Sequence, residues 1–315
     1  MRLIFLGTGA GVPSRARGVA SLALDLGGPV WLFDAGEGAQ VQLMRTGLSA
    51  RRIRRVFITH LHGDHLFGLP GLLSTRSFQT ARDPLALYGP PGLDEFVTTA
   101  LRLSGTHLDY PLDITEIADH QTLFHADGFT VSTRLLAHGV PSFGYRLAED
   151  DRPGALRAER VADLGVTPGP WLAALKAGTS VTLPDGRTID GRDLIGPARP
   201  GRTLAITGDT GPTPATIDLA RGADVLVHES TYAGAEADLA ARYGHSTCTD
   251  AARIAAQAGV GTLLLTHLSA RYDEAATAAL EAEARAIFPA THAMSDLATH
   301  RVPRRDVTPE AATSG

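Results

Sequence analysis

The chain has 315 residues, 43% of them apolar and 20% charged, and carries a formal net charge of −5. That balance describes an ordinary globular protein and argues against a generally basic nucleic-acid module. No apolar stretch approaches the roughly 18 residues needed to span a bilayer, and the N-terminus lacks a signal peptide's core and cleavage site. A single cysteine, Cys248, excludes an intrachain disulfide and a cysteine-rich zinc knuckle, so the expectation is a cytoplasmic protein with no membrane partner.

Apolar runs at residues 3–6, 21–24 and 30–33 read as buried strands. Gly36-Glu37-Gly38 breaks the third, and 40–46 has the polarity pattern of a short helix closed by Gly47. Arg45, Arg51, Arg52, Arg54 and Arg55 then form a dense cluster; a solvated helix end and loop accounts for it, and its position also admits a phosphate-facing role. Further strands are predicted over 56–59, 85–88 and 130–136, with helices over 66–76, interrupted near Pro70-Gly71, and over 93–103. The second half repeats the alternation, with strands at 203–207, 225–228 and 262–266 and helices at 250–257 and 273–288. The pattern predicts an α/β fold in which two sheets pack face to face with helices outside. Residues 152–202, rich in Gly, Pro and Arg, interrupt it at a length unusual for a plain connection. Residues 301–315 have few apolar side chains and are expected to be disordered.

The densest chemistry is Thr59-His60-Leu61-His62-Gly63-Asp64-His65, where a strand should give way to a loop. Strand alternation would put His60 and His62 on one side, with Asp64 and His65 reaching back from the following turn. Imidazole and carboxylate in this mix suit zinc, with manganese and iron as competitors. Four donors this close crowd one ion, so two neighbouring sites are expected. His138, Asp209 and His267 each follow a strand signal and supply the missing donors. His60, His62 and His138 would hold one ion, Asp64, His65 and His267 the other, and Asp209 would bridge them. Two metals about 3.5–4 Å apart can share a water and lower its pKa toward neutrality, giving a hydroxide suited to attack on phosphorus or a carbonyl. Asp64 would orient that hydroxide as well as bind metal.

This motif with its later single ligands resembles the metallo-β-lactamase superfamily. Within it, the chain resembles the short form of the ribonuclease Z family, endonucleases that remove 3′ trailers from precursor tRNA. The resemblance rests on Gly7-Thr8-Gly9-Ala10-Gly11-Val12-Pro13, Phe33-Asp34-Ala35-Gly36-Glu37-Gly38, the metal motif, Val140-Pro141-Ser142-Phe143-Gly144-Tyr145, Thr207-Gly208-Asp209-Thr210, Val227-His228-Glu229, His245-Ser246-Thr247 and Thr266-His267-Leu268-Ser269. It implies a four-layer αββα sandwich over residues 1–300, two zinc ions per subunit, a homodimer, and a protruding tRNA-binding arm at 152–202. By the same resemblance, Gly169-Pro170 matches the arm's Gly-Pro motif, and Arg157, Arg160, Lys176, Arg187 and Arg192 would contact phosphates. His245, paired with Glu229, would donate a proton to the leaving 3′ oxygen. Arg271-Tyr272 would contact substrate phosphate, and Arg15 and Arg17 sit in a loop linked to rejecting CCA-ended tRNA. Gly18 stands in that loop where the family often has asparagine, and Arg15 where it often has lysine. Two other readings compete: a hydrolase of small phosphodiesters, sulfate esters or lactones, and an RNA-binding protein with an inert metal site.

Overall fold

The computed structural model describes residues 1–304. The first sheet is built from β1 (Arg2–Gly7), β2 (Ser21–Asp25), β3 (Val30–Phe33), β4 (Ile53–Phe57), β5 (Leu85–Gly89) and β6 (Leu112–Glu116). The second contains β7 (Gln121–Ala126), β8 (Phe129–Leu136), β9 (Ser142–Glu149), β10 (Thr203–Ile206), β11 (Val225–Glu229), β12 (Thr262–Thr266) and β13 (Thr291–Ala293), while β14 (Thr299–Arg301) returns to the first. The strand orders are β14-β1-β2-β3-β4-β5-β6 and β13-β12-β11-β10-β9-β8-β7.

Period-two alternation explains the layering. In β3, Val30 and Leu32 join the apolar cluster under the helices, while Trp31 and Phe33 turn to the opposite face. There the sheets meet through aromatic rings: Phe33 and Phe57 lie 6.0 and 5.2 Å from Tyr145 of the second sheet, and Phe124 lies 5.9 Å from Trp31. Helices α1 (Ala39–Arg45), α3 (Leu69–Phe78) and α4 (Leu93–Leu103) cover the first sheet, with α2 (Gly63–Leu66) leading into α3. Helices α7 (Pro214–Ala220), α9 (Cys248–Ala258) and α10 (Glu274–Ile287) cover the second. The result is the expected four-layer metallo-β-lactamase sandwich. Among the described residues no helix is long and apolar enough to cross a membrane.

Two local differences have plain causes. The strand expected at 56–59 occupies Ile53–Phe57 and takes in the end of the arginine cluster. Its cations are used locally: Arg52 pairs with Asp25 at 2.6 Å, Arg54 with Asp83 at 2.5 Å, and Arg55 lies over the rings of Trp31 and Phe124. Pro70 falls in the first turn of α3, where a missing N–H costs nothing, so the helical break precedes it at Gly68.

Residues Asp127–Phe129 and Ala148–Arg202, with Pro303 and Arg304, form a second compact unit. It holds α5 (Ala158–Asp163) and α6 (Trp171–Lys176), with its own apolar cluster of Val166, Leu175, Leu183, Ile189 and Leu194. Arg202 closes its root by a two-pronged contact to Glu149, at 2.6 and 2.7 Å. Of the residues expected to be disordered, Arg301 pairs with Arg2 and Val302 is buried, and 305–315 lie outside the described residues.

Candidate active site

The candidate donors sit just beyond strand ends of both sheets. His60 follows β4, His138 follows β8, Asp209 follows β10 and His267 follows β12. His60 and His62 lie past the last residue of β4, so strand alternation does not place them. His62 instead occupies the extended residue that opens α2, which carries Asp64 and His65. That helix is seated by the preceding turn: Ala35 N donates to His65 O at 2.8 Å, and a Cβ on Gly36 would lie 2.2 Å from Asp64 O. Only glycine permits so close an approach.

Donor atoms of His60, His62, His138 and Asp209 lie within 4.8 Å of one another, as do those of Asp64, His65 and His267. Asp209 stands between the groups, 3.6 Å from His60, 3.3 Å from His65 and 3.2 Å from His267. Burial alone would raise its pKa, yet His267, His65 and His60 hold it well below the carboxylate range. Burial and neighbouring imidazoles push His60 down, so its ring is neutral and can ligate.

Each ring is oriented by a bond on its far side. His65 Nδ1 meets Asp34 Oδ2 at 2.7 Å, His138 Nδ1 donates to Gly244 O at 2.8 Å, His267 Nδ1 meets Thr231 Oγ1 at 2.8 Å, and His60 Nδ1 lies 3.0 Å from Thr59 Oγ1. These bonds aim Nε2 inward in all four, whereas His62 contributes Nδ1, 3.1 Å from His60 Nε2 and 3.4 Å from His138 Nε2. Three imidazole nitrogens converging this closely cannot satisfy one another. The enclosed Nε2 of His65 faces only carboxylates, Asp209 at 3.3 Å and Asp64 at 3.6 Å. The arrangement fits divalent transition cations, with its outer partners already in place.

Asp34, Thr59 and Thr231 belong to the site, and sequence assigned none of them a role, although Asp34 and Thr59 stand in its motifs. Asp34 accepts from Thr59 N at 2.7 Å and Thr59 Oγ1 at 2.9 Å as well as from His65, and it holds φ at 57°. An acidic residue ending an apolar strand before Ala-Gly was the available signal.

His245 Nδ1 lies 2.8 Å from Glu229 Oε1, as the resemblance implied. Glu229 also accepts from Thr210 N and from Thr231 N and Oγ1, which fixes its carboxylate. Burial lowers the affinity of His245 for a proton, but Glu229 more than offsets this and its pKa is raised. His245, Asp64, Asp209 and His267 line one cavity of about 210 Å³, together with Tyr232.

The expected substrate contacts divide. Arg15 is exposed on a loop beside a cavity of about 550 Å³. Arg17 turns inward and donates to Thr8 Oγ1 at 2.6 Å and Met294 O at 2.7 Å. Arg271 donates to Glu236 at 2.7 Å, and the Tyr272 hydroxyl donates to the same carboxylate. In the second unit, Pro170 opens α6, the Trp171 ring lies against Gly169, and Lys176 is exposed. Arg187 and Arg192 are paired with Asp185 and Asp190, so their charge is partly compensated.

The family model described as anti-Pycsar protein Apyc1 matches residues 1–140. Ribonuclease Z of Geobacillus kaustophilus is 52% identical over 307 residues, covering 96% of this chain and all of the relative. Ribonuclease Z of Lactiplantibacillus plantarum is 52% identical over 306 residues, covering 96% of this chain and 98% of the relative. Among solved structures, human tRNase Z, short form, superposes with a TM-score of 0.72 at 32% identity, covering 96% of this chain and 100% of that one. The metallo-β-lactamase-fold protein YhfI from Bacillus subtilis, at 18% identity and a TM-score of 0.68 over 95% of this chain and 98% of its own, shares the fold. With relatives at half identity over their full length, the chain belongs to the ribonuclease Z family.

Proposed function

We propose that this chain is a metal-dependent endoribonuclease that removes the 3′ trailer from precursor tRNA, leaving a 3′-hydroxyl after the discriminator nucleotide. The observation that carries this reading is full-length 52% identity to ribonuclease Z, combined with a donor cluster and a His245–Glu229 pair lining one cavity. His60, His62 and His138 would hold one divalent cation, Asp64, His65 and His267 a second, with Asp209 shared; zinc suits the donors best and manganese is accepted by them. Such ions, when bound, supply Lewis acidity that brings a water toward ionisation at neutral pH and offsets charge on phosphoryl oxygens.

The chain's own residues do the rest. Asp64 accepts from Gly11 N at 2.7 Å, which aims its carboxylate into the cavity, where it orients the attacking water. The water gives up a proton to solvent as its oxygen bonds to phosphorus, and the P–O3′ bond breaks. Glu229 holds Nδ1 of His245, leaving Nε2 to deliver a proton to the departing 3′ oxygen. The products are a tRNA 3′-hydroxyl and a trailer with a 5′-phosphate.

Substrate grip is assigned to the second unit, through Gly169, Pro170, Lys176, Arg157 and Arg160, with Arg15 in the loop that would reject CCA-ended tRNA. A homodimer is supported by exposed Val41 and Met44 on α1, Phe67 after α2 and Phe78 on α3, the last 86% exposed. The tRNA substrate and the lone cysteine support a cytoplasmic location. The deciding experiment is cleavage of an end-labelled precursor tRNA beside its CCA-ended counterpart, with zinc or manganese and with a chelator. One metal-dependent cut after the discriminator nucleotide is expected; an intact precursor alongside efficient hydrolysis of a small ester would overturn the assignment.

A further inference from the structure

Tyr232 has no part in the scheme above, yet it lines the same cavity as His245, Asp64 and Asp209. Its ring meets the His245 ring at 6.0 Å between centroids, edge-on at 63°. Tyr232 is 7% exposed, and its hydroxyl has no hydrogen-bond partner among the described residues. Its oxygen is not one of the enclosed polar atoms that lack a partner, so solvent, or a ligand in place of solvent, can reach it. The residue is also held in place. Cys248 N donates to Tyr232 O at 2.9 Å, tying its backbone to the segment that carries His245, and the Arg271 guanidinium covers its ring at 5.3 Å. Arg271 is itself fixed by Glu236. Arg271 caps one face of the ring, and the rest of the side chain, with its phenol, belongs to the cavity lining.

We infer that the Tyr232 hydroxyl hydrogen-bonds the ribose 2′-hydroxyl of the nucleotide on the 5′ side of the scissile phosphate. The inference rests on the tRNA-cleavage reading, because it uses His245 as the group facing the departing 3′ oxygen. On that ribose the 2′-oxygen is vicinal to the 3′-oxygen, so a sugar presented to His245 presents its 2′-hydroxyl to the neighbouring ring. A phenol both donates and accepts, as does the 2′-hydroxyl, and this group distinguishes RNA from DNA at a given position. Tyr232 thereby acts as a specificity residue for ribose at the cut site.

The test is a cycle of two enzymes and two substrates: wild type and Tyr232→Phe, each on an all-ribo precursor tRNA and on one with a single 2′-deoxy nucleotide 5′ of the cut. One neutral hydrogen bond corresponds to roughly a three- to tenfold loss in kcat/KM. Wild type should lose that factor on the deoxy substrate, Y232F should lose it on the all-ribo substrate, and Y232F should lose no more on the deoxy one. Losses that multiply, or a Y232F enzyme as fast as wild type on all-ribo RNA, overturn the inference. Wild type alone gives a second reading that no folding defect can obscure: equal rates on the ribo and deoxy substrates also overturn it. Wild type that leaves all-ribo precursor uncut overturns the tRNA reading itself, and the inference with it.

Discussion

Replacing Asp34 by asparagine isolates what the outer partner of a metal ligand contributes. The carboxylate accepts from three groups, Thr59 N, Thr59 Oγ1 and His65 Nδ1, at 2.7, 2.9 and 2.7 Å. Asparagine tolerates the left-handed backbone found at this position, so the turn survives. Its amide, however, has only one accepting oxygen. With that oxygen on Thr59 N, the NH2 group faces His65 and forces the ring's proton onto Nε2, the atom aimed at the site. In the opposite orientation the NH2 group meets the buried Thr59 N–H, and one donor goes unpaired at a cost of about 1–3 kcal/mol. Loss of such an outer partner lowers metal affinity or activity by about 10–100-fold, or about 1.4–2.8 kcal/mol. The expected outcome for D34N is a folded protein whose zinc affinity, measured by competition with a chromophoric chelator, falls within that range. Unchanged affinity together with an unchanged melting temperature would refute the view that Asp34 sets the His65 tautomer.

Other expectations follow from the same geometry. His245→Ala should slow single-turnover cleavage by about 10²–10⁴-fold while substrate affinity changes little; a rate within a few-fold of wild type removes His245 as the acid. Asp209→Ala takes away the carboxylate in contact with three histidines, so metal content by elemental analysis and RNA cleavage should be lost together, and chelation of the wild type should reproduce the effect. Glu149→Gln should loosen the root of the second unit. Burial opposes ionisation of Glu149, but its bonds to Arg202 hold the pKa at about 2 against an ordinary 4.5. A depressed acid stabilises the fold above its unfolded pKa, so this contribution is present above about pH 4.5 and fades as the pH falls toward 2. After allowance for solvent screening it amounts to about 1–2 kcal/mol, and proteolysis within 150–202 should quicken in E149Q at neutral pH but match wild type near pH 2. Phe78→Asp should convert a dimer to monomer by light scattering, and an unaltered mass would place the interface elsewhere.

Sequence made the His/Asp donor cluster readable because its candidates are few, chemically distinctive and placed after apolar runs. The core strands were equally plain where both faces are buried, as in Val30-Trp31-Leu32-Phe33. Less visible were strands at sheet margins: Leu112–Glu116 and Gln121–Ala126 mix polar and apolar residues because only part of each is covered. Gly144, which packs so near Leu219 that a Cβ would sit 2.4 Å away, masked the strand Ser142–Glu149. Side-chain direction was beyond reach altogether. Arg17 lies in a loop whose charges suggest substrate, and only three-dimensional packing reveals that its guanidinium serves Thr8 and Met294. Asp34 stood in a quoted motif but received no role, because its partner His65 is 31 residues away.

The donor cluster draws on both sheets, and Asp64 meets His267 across 203 residues of chain. A growing polypeptide thus carries the His60–His65 segment long before the groups that complete it exist. A cation held by the full donor set would have to wait for the final third of the chain, and its binding free energy would stabilise only the finished fold. The donor cluster is in this sense the last part of the molecule to be assembled: an unfinished chain has the His60–His65 segment but not the Asp209, His245 and His267 that close the cavity.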